Sequence, residues 1–231
     1  MKKMTLAIAV VFFLSNFALA TTVLDDVPPP WRGQWSTTSQ VWEFNYDPDP
    51  PGSIENYYEP DGPAPGGQPP LPSTHVVVFP GDPQWMEFDT VHGSNRYGIW
   101  GLSGWIDVVV DNHEPPNEFK WVWVQLTWAS DSAVAGAVPT LTNLNPAADP
   151  AWPVTLTDEI DWGDGWYTST YQWRIYPNPE YEEFTIGWDS SAGQATIVGQ
   201  LIIDTWCIPE PATLALLLAA GLFVMRHRRP N

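Results

Sequence analysis

Alternation of apolar and polar side chains runs through the middle of this chain and sets its expected fold. Residues 102–110 put Leu102, Ile106, Val108 and Val110 on one face. Residues 165–176 put Tyr167, Tyr171, Trp173 and Ile175 on one face, with Thr168, Thr170, Gln172 and Arg174 on the other. A period of two marks a half-buried strand. Residues 119–128 are apolar on both faces: Phe119, Trp121 and Trp123 on one side, Val122, Val124, Leu126 and Trp128 on the other. A central strand covered from two sides has that pattern. Shorter runs at 40–46 and 75–79 add strands, and residues 194–206 carry Ile197, Leu201 and Ile203 on one face. Asp- and Gly-rich turns such as 161–165 separate the runs. Between the two ends of the chain no stretch has a capped helical period. The pattern predicts an all-β protein, a β-sandwich of jelly-roll type.

The two ends break this pattern. Lys2 and Lys3 precede an apolar core from Leu6 to Leu14, and Ala18-Leu19-Ala20 follows as a small-x-small site. Residues 1–20 therefore read as a secretory signal helix cut after Ala20 by signal peptidase. At the other end, residues 212–225 are apolar. As a helix they would reach about 21 Å, against a hydrocarbon core of roughly 30 Å. Pro209 and Pro211 stop the helix from extending backward. Arg226, Arg228 and Arg229 close the run as a membrane stop, and basic residues there stay on the cytoplasmic side.

Pro209-Glu210-Pro211, a short apolar helix and a terminal arginine cluster, in that order at the extreme C-terminus, resemble the PEP-CTERM sorting signal of bacterial exported proteins. The resemblance covers residues 208–229 only. It implies recognition of Pro209, Glu210 and Pro211 by an exosortase, a membrane-embedded cysteine transpeptidase. It also implies transient anchoring by the C-terminal helix, then delivery to the cell surface or extracellular matrix. Proteins of this class are associated with exopolysaccharide-producing bacteria, so extracellular polysaccharide is an expected partner.

The chain then divides into residues 1–20 (signal peptide), 21–72 (a Pro-rich arm with one or two strands), 73–206 (the sandwich) and 207–231 (the sorting tail). Of the 27 acidic residues only Glu210 lies outside residues 21–206, and Arg32, Arg96, Lys120 and Arg174 are the only bases there. So acidic a surface repels phosphate and excludes nucleic acid as a partner. Cys207 is the single cysteine, so no disulfide within the chain can staple the fold. Stability must come from apolar burial, and 15 tryptophans can supply it.

Catalytic patterns are sparse, and the expected ectodomain is not an enzyme. His75, His92, His113 and His227 have no partner at metal-ligand spacing, and no nucleophile elbow is present. Glu87 with Asp89, and Glu180 with Glu182, are paired carboxylates of the kind glycosidases use, but an acidic chain generates such pairs by chance. No cofactor is expected beyond calcium, for which the dense acids Asp158, Asp161 and Asp164 are the candidate ligands. Trp100, Trp105, Trp162 and Trp166 lie near turns and are candidates for a glycan platform, where flat rings stack on sugar faces. Two readings remain: a non-enzymatic structural or interaction component of the cell surface, and a carbohydrate-binding module. A glycan-acting enzyme is a distant third.

Overall fold

A computed structural model of the chain describes residues 26–44, 56–63, 67, 74–80, 84–86, 98–112, 118–130, 138–162, 165–189 and 195–208. Ala18 and Ala20, the motif Pro209-Glu210-Pro211, the basic Arg226, Arg228 and Arg229, and Asp164 lie outside the described residues. The described part is all-β, with no helix and two antiparallel sheets.

One sheet is seven-stranded. Its path runs β4 (Gln84–Met86), β5 (Gly98–Gly101), β12 (Thr196–Ile208), β7 (Phe119–Ser130), β10 (Trp166–Ile175) and β9 (Thr155–Asp161). The remaining strand, β1 (Thr37–Trp42), pairs with residues 201–206 of β12. The other sheet is five-stranded, in the order β2 (Asn56–Tyr58), β3 (His75–Pro80), β6 (Ser103–Asp111), β11 (Tyr181–Asp189) and β8 (Thr140–Asn145).

The core lies between the sheets, where burial follows the alternation. Val122, Val124, Leu126 and Trp128 of β7 join Tyr171, Trp173 and Ile175 of β10. They meet Ile106, Val108 and Val110 of β6 and Phe184, Ile186 and Trp188 of β11 in one buried cluster. Trp173 meets Phe184 edge-on across the two layers, with ring centroids 5.3 Å apart. Two positions depart from the expected faces. Leu102 precedes β6 and is exposed. Ile197 packs with Ala129 and Trp166, away from Leu201 and Ile203. The cause is a register shift between Val198 and Gln200, where one extra residue turns the strand over.

Residues 26–36 cover the face of the seven-stranded sheet that points away from the core. The Gln125 side chain accepts from Val27 N and donates to Val27 O, at 3.3 and 2.7 Å. The Arg32 guanidinium donates to Asp204 at 2.8 and 2.6 Å and to Asp26 at 2.8 Å. Trp31 stacks on Trp206 at 5.8 Å. Further along the same face Trp152 meets Trp121 edge-on, and Arg174 lies over Trp152 and Phe119. This cover keeps most of the sheet's second face dry. It absorbs several tryptophans that the sequence alone could not assign.

Candidate functional site

Among the described residues, the outer face of the five-stranded sheet is mostly exposed along β8 and half-buried along much of β6 and β11. Ile106, Val108, Phe184 and Ile186 point into the core, so their neighbours along β6 and β11 must point out. Those neighbours are Trp105, Asp107, Thr185 and Gly187, and β8 adds Thr140 and Thr142 opposite Gly187 and Thr185. They line a groove of about 650 Å³. A second hollow of about 430 Å³ shares Asp107, Asn143 and Thr185 with it and extends toward Glu183.

A ladder of polar side chains crosses three strands along the floor. Asn143 Nδ2 donates to Thr185 Oγ1 at 3.3 Å, and Thr185 Oγ1 donates to Asp107 Oδ1 at 2.6 Å. Asn145 Nδ2 donates to Glu183 Oε2 at 3.2 Å. Asn143 sits at a β8 bulge opposite Glu183 and Thr185 with φ 52°, in the left-handed region. Asparagine tolerates this region better than other non-glycine residues, so it suits the bulge. Here the bulge brings its amide to the groove.

Trp105 stands beside this ladder with 41% of its surface exposed. Its cross-strand neighbour is Gly187. A Cβ at Gly187 would meet nothing nearer than Gly104 O at 4.0 Å, so a side chain there would stand in the groove rather than clash. The glycine leaves a window next to the indole. Ring, amide, hydroxyls and carboxylate converge on one surface, and among the described residues no base lines it.

The other tryptophans proposed with Trp105 belong elsewhere. Trp166 is 0% exposed and packs against Ala129 and Ile197, so it cannot stack on a ligand. That expectation is withdrawn. Trp162 is 40% exposed but follows β9 in the other sheet, its Nε1 donating to Thr168 Oγ1 at 3.0 Å. Trp100 belongs to β5, paired with Gln84 and Ile197. These four therefore form no single platform. Asp158 and Asp161 both lie on β9 rather than in a turn, and three residues apart they point to opposite faces. Among the described residues no group of three His, Cys, Asp or Glu side chains is placed to hold a metal ion.

Sequence reasoning missed two features. The groove's polar ladder depends on the strand order β6-β11-β8, which no local pattern encodes. Glu182, paired with Glu180 in the sequence as a carboxylate couple, is buried and bonded to Lys120 at 2.5 Å, whereas Glu180 is exposed. Burial, partly offset by Lys120 and reinforced by the charge of Asp111, pushes the Glu182 carboxyl up to about 7.

Comparison with known proteins found no matching family model, no matching curated protein and no matching solved structure.

Proposed function

We propose that this chain is an exported, non-enzymatic surface or matrix protein whose five-stranded sheet binds a neutral polysaccharide. The observation that carries the reading is Trp105, exposed beside the Asn143–Thr185–Asp107 ladder. An indole takes the apolar CH face of a pyranose, while an amide and a carboxylate take its hydroxyls. Asp107 and Glu183 both border the groove, and among the described residues no base lines it, so uronic-acid and sulfated chains are repelled and neutral chains are accepted. Asp107 and Glu183 each already accept a hydrogen bond from a neutral side chain, which suits binding better than hydrolysis. Within this reading the two sheets form a jelly-roll sandwich.

Affinity electrophoresis of the purified protein tests the site. The wild type should be retarded in gels containing a neutral glucan or mannan and should run freely in alginate. Trp105→Ala should weaken binding by about 1–3 kcal/mol, roughly 5- to 160-fold, by analogy with base stacking on aromatics. Equal retardation of the two proteins would remove Trp105 from the site.

Delivery is proposed from the sequence. Residues 1–20 direct export, and the Pro209-Glu210-Pro211 signal hands the protein to an exosortase. The intact mass of the surface form, in cells with and without that enzyme, tests this. A chain from Thr21 to near Pro209, lost without the enzyme, is expected. A surface form still carrying Arg226 to Asn231 would make the tail a plain anchor.

A further inference from the structure

The two sheets are joined at one end by a buried pair of reactive groups. Lys120 of β7 and Glu182 of β11 have side chains 0% and 1% exposed, with Nζ and Oε2 2.5 Å apart. Around them lie Val122 and Phe184 along their own strands, and Ile175 and Val110 as cross-strand partners, all in the buried core. Oε1 of Glu182 finds no hydrogen-bond partner among the described residues. A buried ion pair with one bare carboxylate oxygen is a poor way to spend a core position, because the desolvation is incompletely offset. Among the described residues, the other ionisable groups nearby include Asp111, whose charge acts on Glu182, and the thiol of Cys207, cross-strand partner of Lys120. That thiol is held by Asn112 Oδ1 at 2.7 Å.

We propose that Lys120 and Glu182 condense into an amide, a covalent strut between the two sheets. One proton passes from the ammonium to Oε2 across the existing hydrogen bond, leaving a neutral amine facing a carboxylic acid. The Nζ lone pair then attacks Cδ. A second Nζ proton moves to the same oxygen, the Cδ–Oε2 bond breaks and water leaves. Oε1 stays as the amide carbonyl, and the third proton stays on nitrogen. No oxidant, reductant or cofactor is consumed. Nζ lies one covalent bond beyond its hydrogen-bonded oxygen from Cδ, near the roughly 3–3.5 Å separation at which reacting groups gain effective molarities of about 10⁵–10⁸ M. Expulsion of water from a dry core favours the product.

The strut lies where it would bear load. Ile208 and Cys207, the last described residues, pair with Phe119 and Lys120, so tension on the C-terminal end enters the sheet beside Lys120. With one cysteine, the chain has no internal disulfide for the task.

Peptide mapping of the purified, denatured full-length protein decides it. The expected result is a species joining the Lys120 and Glu182 peptides, lighter than their sum by one water, with no tryptic cut after Lys120. Lys120→Arg keeps the charge but should give separate peptides and a lower melting temperature. A free, trypsin-sensitive Lys120 in folded wild-type protein would overturn the proposal. Loss of ammonia instead of water would also overturn it, by moving the acyl partner to an amide such as Asn112. Stability against pH is a second readout. A free Glu182 with its pKa raised from 4.5 to about 7 binds more protons folded than unfolded, so stability would fall as pH rises across that interval. The amide removes that titration, and the fall should be absent in the wild type.

Discussion

Arg32 shows how much a single side chain carries in this fold. It is buried between two carboxylates, Asp204 of β12 and Asp26 of the covering segment, with only 4% of its side chain exposed. Removing it would strand two buried acids, so Arg32→Met should cost about 3–5 kcal/mol. Urea unfolding measures this, and a change under about 1 kcal/mol would mean the cover adds little. Asp149 gives the opposite kind of test, because it is an acid whose charged form the fold favours, in a half-buried pair with Arg174. Its carboxyl is held below the usual range first by Ala151 N–H and then by Arg174. A depressed acid contributes stability at pH values above its unfolded pKa of 3.8 and loses it as pH falls through the lower folded value. Asp149→Ala should therefore be less stable than wild type at pH 6 and converge with it near pH 2. Melting curves at those two pH values check the sign.

At the scale of elements, the legible strands were those whose faces carry a clear apolar pattern, on one side or on both. The alternation of β6 and β10, and the two apolar faces of β7, follow from what each face touches. Neither β8 nor β9 shows such a pattern. Thr155–Asp161 is polar and almost wholly exposed at the sheet edge, so its acids looked like a turn. The bulge in β12 was equally hidden, because an inserted residue leaves composition unchanged while reversing the faces. Trp105 could be singled out as an aromatic near a turn. Its partners Asp107, Thr185 and Asn143 could not, since they come from three strands far apart in the chain. Trp173 is the element-level test of the sandwich. It is fully buried in β10 and reaches Phe184 across the layers, so Trp173→Ala should cost about 3–5 kcal/mol in urea unfolding. A loss of no more than a surface mutation would contradict close packing of the two sheets there.

The whole molecule is asymmetric. The outer face of the seven-stranded sheet is covered by residues 26–36 and by Trp152, whereas, among the described residues, that of the five-stranded sheet is partly exposed and hydroxyl-rich. A strongly acidic chain, with net charge −18 for the full sequence, repels anions, in keeping with the neutral ligand proposed above. β12 is hydrogen-bonded to β7 up to Ile208, so the described chain ends inside the seven-stranded sheet. The most direct test of the account is the affinity of Gly187→Phe for a neutral polysaccharide, measured by calorimetry beside the wild type. Phenylalanine at that window should fill the groove without backbone conflict. The account predicts lost binding with an unchanged melting temperature. Wild-type affinity in the filled variant, or no binding by the wild type to any neutral chain, would contradict it.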